Sequence, residues 1–283
     1  MAKAHHDLLS RLQEKSREQL LALLEQLVQR QPEIEPLVEL LIELPQVAAT
    51  PQKKRPGRGR ERTLDPSALQ SQVASAFYRA GTGWGAASRI AAELEHLCDI
   101  GKDFAEAGQW ANAQAVYATL AEETILQYEE VHDEGQISWV LGQCAAGLLK
   151  CLHAQSSLPR EEQLDAASRE ALLLSLFGLW KFGNEYGGIG EDVAGAMAQQ
   201  GTERERTRVE TWLREEMRPV QDPSSAWHNR RVIDFLATLK QAEHGSEEEV
   251  LEEYRSAGLS KELAEKYLQF GRQTEALGSP GQT

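Results

Sequence analysis

Apolar residues recur along most of this chain at three- and four-residue steps, the spacing that gathers them on one face of a helix. Leu94, Leu97, Gly101, Phe104, Ala105 and Gly108 form one such face, and after a break Ala113, Val116, Tyr117, Leu120 and Thr124 form another. The pattern predicts two short amphipathic helices with a tight turn between them and their seams facing. Upstream, Ser16 with Gln19 three places on has the form of a capping box, and Leu20, Leu23, Leu24, Leu27 and Val28 mark the helix it opens. Pro32 breaks that pattern, and a second helix carries Leu37, Val38, Leu40, Leu41 and Leu44. So much leucine on two short helices calls for cover, by another helix of the chain or by a partner chain.

Downstream the helices resume at Leu64. Asp65 before Pro66 reads as an N-cap with proline in the first turn, opening a helix through Tyr78. Gly81, Gly83 and Ala86 then spell G-x-G-x-x-A, but the dinucleotide fingerprint needs a preceding strand, and none is readable here. The stretch reads instead as an interhelix loop with Trp84 packing inward. Gln136 to His153 reads as one helix with Trp139, Cys144 or Leu148, and Cys151 facing the core. Residues 166 to 183 are apolar all round, the mark of a central helix, and a turn follows from Gly183 to Gly190. Thr202 with Glu205 spells a second capping box, with Val209, Trp212, Leu213 and Met217 as its seam and Glu203, Arg204, Glu205, Arg206 and Arg208 as a self-paired exposed face. Pro219 and Pro223 end that helix. Another runs from Trp227 to Leu239, and a last hairpin is capped at Ser246, closed at Gly258 and reopened at Ser260.

The spelling G-x-x-F-x-x-x-G-x-W-x-x-A-x-x-x-Y-x-x-L from Gly101 to Leu120 resembles a tetratricopeptide repeat, a two-helix unit of 34 residues. Gly101 and Ala113 match its small contact positions, Gly108 its turn, and Phe104, Trp110 and Tyr117 its bulky filling. Gly135, Gly142 and Gly147 stand 34 residues after Gly101, Gly108 and Ala113, which hints at a second copy. DPSALQSQV, AQAVYATLAEE, Asp133-Glu134-Gly135, LWKFGNEYGG and EYRSAGLSKELAEKYLQFGR together resemble the long helical region that accompanies SWIM zinc-finger domains in bacterial proteins. That similarity covers residues 64 to about 272. The Cys-x-Cys followed by Cys-x-His that such a finger needs is absent, so the resemblance implies a stacked-helix body without the finger's metal or DNA binding.

Four parts follow: an N-terminal helical hairpin at 1–44, a linker at 45–63, a helical domain at 64–277 and a disordered tail at 278–283. The expected fold is all-α, with hairpins stacked as a tetratricopeptide-like solenoid or an irregular bundle. The linker holds three prolines, two glycines and the cations Lys53, Lys54, Arg55, Arg58, Arg60 and Arg62. Six cations against Glu61 give it +5 within a chain of formal charge -14, so the remainder carries -19. K-K-R-P-G-R-G-R resembles an AT-hook, which inserts into the minor groove of A·T-rich DNA. The alternative is a solvated linker folding back on the acidic body.

Acidity disfavours nucleic-acid binding by the rest of the surface. Cys98, Cys144 and Cys151 sit in helical stretches and read as buried small apolar residues. Cys144 and Cys151 are two turns apart, too far to ligate a metal together with His153, and the tandem His5 and His6 have no partner at ligand spacing. No H-E-x-x-H, G-x-S-x-G or P-loop spelling occurs. A cytoplasmic, non-enzymatic scaffold or adaptor with no cofactor is therefore expected, binding a basic or amphipathic protein segment. In the tetratricopeptide register Glu95, Lys102 and Glu106 line its groove. A DNA-associated accessory protein using residues 53–62 is the alternative.

Overall fold

Helices occupy the stretches where apolar spacing is kept, and their ends fall at glycines and capping residues. A computed structural model of the chain describes residues 15–30, 38, 64, 66–159, 163–219, 222–244 and 246–278. Among them there are twelve α-helices and no strand: α1 (Arg17–Arg30), α2 (Pro66–Ala80), α3 (Ala86–Glu106), α4 (Trp110–Gln127), α5 (Gln136–Ser157), α6 (Ala166–Tyr186), α7 (Val193–Gln200), α8 (Glu203–Glu215), α9 (Pro223–His244), α10 (Glu247–Ser256), α11 (Ser260–Gln269) and α12 (Gln273–Gly278). No described helix is long and apolar enough to cross a membrane. The two expected capping boxes form. Gln19 N–H donates to Ser16 Oγ and Ser16 N–H to Gln19 Oε1, and Thr202 and Glu205 make the same reciprocal pair.

From α2 to α7 each helix packs on the next and on the next but one. Two layers result, α2, α4 and α6 in one and α3, α5 and α7 in the other, as in a helical solenoid. The Tyr117 ring of α4 fills the angle between Gly101 of α3 and Gly147 of α5. Cys98 and Cys144 face each other on the same two helices, their Sγ atoms 3.7 Å apart and 46 positions apart in sequence. Gly101 and Gly147 have that separation too. Facing positions of the two parallel helices thus repeat at 46 residues rather than the expected 34, because α3 and α5 run to 21 and 22 residues. The single-helix reading of α5 holds, with Cys144, Leu148 and Cys151 buried.

Helix α6, expected at the centre, packs on α4, α5, α7 and α9 but leaves Leu174 and Tyr186 exposed, and α4 has the more central place. In α6, Phe177 stacks on Trp180, whose other neighbour is Phe235 of α9 at 5.1 Å between ring centroids. The helix runs three residues past Gly183 before the turn begins. Helix α8 corrects a second expectation. Of the five charges expected to pair with one another, Glu205 and Arg208 reach α6 instead, since Arg169 Nε lies 2.5 Å from Glu205 Oε1 and Arg208 reaches Glu170 at 2.6 Å. A forked bond from Arg214 to the buried Glu253 ties α8 to α10. Pro223 opens α9 instead of ending α8, which already stops at Glu215. Ser260 is the first residue of α11, whose N-cap is Leu259.

Helix α1 buries none of its residues, and Leu21, Leu23, Leu24 and Leu27 stay exposed, so the described residues supply no cover for its stripe. The expected second helix falls outside the described residues apart from Val38, as do Asp65, His5, His6 and nearly all of the tail. Lys53, Lys54, Arg55, Arg58, Arg60 and Arg62 lie outside them too.

Candidate functional site: a groove beside Trp139

Helix α5 buries Ile137, Val140, Leu141, Cys144, Leu148, Cys151 and Leu152, a stripe that fixes which way the helix faces. Trp139 is two residues from Ile137, about 200° around the axis at 100° per residue, so the same rotation that buries Ile137 turns Trp139 out. It is 65% exposed, against the expectation that it faces the core. Gly142 and Ala146 follow on the same side at three and seven residues, where small side chains keep the surface low. A Cβ added at Gly142 would meet nothing within 4 Å. Trp84 is likewise turned out, 92% exposed on the loop between α2 and α3.

Two hollows flank Trp139. One, of about 400 Å³, lies between α3 and the start of α5 and is lined by Ala91, Ala92 and Glu95 on one side and Glu134 and Gln136 on the other. The second, of about 490 Å³, lies between α5 and the loop after α6, with Gly142, Gln143 and Ala146 facing Gly187, Gly188 and Ile189. Glu95, named above for a tetratricopeptide groove, lies on the wall of the first hollow. Lys102 and Glu106 are exposed on the same helix about two and three turns farther along, away from Trp139.

The start of α5 is held rigidly. Asp133 Oδ1 accepts the Gly135 and Ile137 N–H groups, each at 3.0 Å, while Oδ2 accepts Ser138 N–H, the Ser138 hydroxyl and the Tyr128 hydroxyl. Burial pushes the Asp133 carboxyl up, but the hydrogen bonds from Ser138, the Ile137 amide and Tyr128 outweigh it and hold the group below the ordinary aspartate range. Tyr128 is itself wedged edge-on against Phe182 and Tyr186. Since the folded state binds the Asp133 proton more weakly than the unfolded chain does, this contribution is complete above the ordinary aspartate pKa. It disappears as pH falls through the lower folded value. Asp133→Ala is expected to cost about 1 kcal/mol at neutral pH, the usual worth of a capping side chain. In urea unfolding the gap between parent and variant should close on acidification; a gap independent of pH would show that the carboxylate is not the source.

Chemically, the groove offers an indole face, an apolar floor and the carboxylates Glu95 and Glu134. That combination suits an apolar side chain next to a cation, which gains both burial and attraction to the ring. Among the described residues no group of three or more His, Cys, Asp or Glu side chains is placed to hold a metal ion. Cys98, Cys144 and Cys151 are buried and form no disulfide, and burial pushes the Cys151 thiol up to about 12, which makes it a poor nucleophile at neutral pH. No family model matches the chain, and neither a curated protein nor a solved structure matches it.

Proposed function

We propose that this protein is a non-catalytic helical adaptor that grips a segment of a protein partner in the groove beside Trp139. The observation that carries the reading is a tryptophan held out of the core by the phase of its own helix, between two hollows and beside residues too small to cover it. Burying such a side chain against a partner is worth about 2–3 kcal/mol, enough to anchor an interface. A two-layer helical body suits this use because its rows of parallel helices offer long, rigid grooves.

Affinity capture with the full chain tests the reading. Trp139→Ala removes the anchor, and Gly142→Leu fills the second hollow at a position where a side chain meets no obstacle. Both variants are expected to lose at least fivefold of whatever the parent captures specifically. Undiminished capture by both would overturn the assignment of the groove. Charge reversal at Lys102 and Glu106 marks its length: unchanged partners would confine recognition to the end nearer Trp139.

A further inference from the structure

Eight large apolar side chains are exposed among the described residues from 66 to 244, and seven of them lie at one end of the helices. Tyr78 closes α2 and Trp84 sits on the loop before α3. Leu126 ends α4 and Trp139 begins α5. Tyr186 ends α6, and Met217 and Trp227 flank the junction of α8 and α9. Only Leu174, in the middle of α6, falls elsewhere. Consecutive helices joined by short turns run in opposite directions, so the end of α2, the start of α3, the end of α4, the start of α5 and the end of α6 share one edge. Salt bridges from Lys181 to Glu216 and from Arg218 to Glu185 place the end of α8 on it as well.

The edge also carries an excess of carboxylates. Its segments 78–89, 128–136, 181–192, 215–219 and 222–231 hold ten carboxylates, five arginines and one lysine. Every one of these cations is engaged within the protein: Arg79 on Glu93, Arg89 on the Ala80 carbonyl, Lys181 on Glu216, Arg218 on Glu185, Arg230 on Glu262, and Arg231 on Asn184 and over the Trp227 ring. Fields of this sign repel nucleic acid and anionic lipid and attract cations.

We infer that this edge is an extended recognition surface for a polypeptide segment in which lysine or arginine alternates with apolar residues, and that the groove beside Trp139 is its middle part. The inference rests on the adaptor reading and extends it from one groove to four successive turns. Neighbouring helices stand 8–10 Å apart, so the edge runs about 30 Å, the length of roughly nine extended residues. Apolar side chains of the segment meet the exposed aromatics, and its cations meet Glu130, Glu134, Glu191 and Asp192.

The test uses the full chain and a fluorescein-labelled twelve-residue peptide alternating lysine with leucine, read by fluorescence anisotropy. The controls are the same peptide with glutamate for lysine, a DNA duplex and phosphatidylserine vesicles. The lysine peptide is expected to bind, weakening at least fivefold in Trp84→Ser and at least tenfold in the double variant Glu130→Lys/Glu191→Lys. All these positions are exposed, and urea unfolding of each variant should match the parent. Binding lost in Trp139→Ser but intact in Trp84→Ser and the charge reversal would overturn the extended edge while leaving the groove. Equal binding of the glutamate peptide, or tighter binding of DNA or vesicles that Trp84→Ser abolishes, would overturn the cationic polypeptide as occupant.

Discussion

Gly183→Ala is expected to destabilise the protein by about 3 kcal/mol, the upper part of the range for forcing volume into a packed site. A Cβ at this position would stand 1.9 Å from the Ile189 carbonyl oxygen and 2.8 Å from its carbon. Both are backbone atoms, so no side-chain rotation relieves the overlap. Gly190 completes the contact from the other side, with φ of +74° and a position 3.2 Å from the Trp180 Cα for any Cβ it carried. The 187–192 turn is thus pressed onto the last turn of α6, and the substitution has to lift it. Gly178→Ala, on the same helix with nothing within 4 Å, supplies the control. It is expected to stabilise by up to about 1 kcal/mol through helix propensity alone. Urea unfolding of the two variants measures the contrast, and hydrogen exchange should show new opening at 187–192 in Gly183→Ala only. Equal and small effects would mean that the turn does not pack where the structure places it. Since Gly187, Gly188 and Ile189 wall the second hollow, partner capture should fall together with stability.

The helices were legible because burial and spacing agree. Val209 and Leu213, or Leu94, Leu97 and Phe104, are read as seams and are seams. Boundaries were less so where a cap was passed over. Helix α9 begins at Pro223 rather than Trp227 because Asp222 accepts Ser225 N–H while Ser225 Oγ accepts Asp222 N–H, a reciprocal cap followed by a proline suited to a first helical turn. Two charges of α8 were misassigned for a different reason. Local spacing shows which charges share a helix, and Arg169 and Glu170 of α6 become the partners of Glu205 and Arg208 only on packing.

The groove beside Trp139 is hard to read in the sequence. The tetratricopeptide register names Glu95, Lys102 and Glu106, of which only Glu95 walls a hollow beside Trp139, and Trp84 and Trp139 read inward because tryptophan carries so much apolar surface. The phase of α5 held the contrary signal: Ile137, Leu141, Cys144, Leu148 and Cys151 form a better three-and-four series than any that includes Trp139. Trp84 had no such series, since three glycines around it belong to no helical face. Nor does spacing reveal that seven exposed apolar residues share an edge. That depends on the alternation of helix directions, a property of the assembled body.

Gly147→Ala carries the second large effect and tests the 46-residue register itself. Its Cβ would lie 2.5 Å from Cε2 and Cζ of Tyr117, and a Cβ at Gly101 would lie 2.9 Å from the same Cζ. The ring is held between two helices and has no free side to move toward, so the substitution is expected to cost about 2 kcal/mol after the helix-propensity gain is subtracted. Tyr117→Leu alone leaves a void and costs about 2–3 kcal/mol. Combining the two lets the added methyl occupy part of that void, so the double variant should be more stable than the sum of the single losses by at least about 1 kcal/mol. Gly142→Ala, five residues earlier on the open side of the same helix, should be neutral or stabilising. Simple additivity of Gly147→Ala and Tyr117→Leu would separate the two residues in space. It would also break the parallel pairing of α3 and α5 on which the groove beside Trp139 is built.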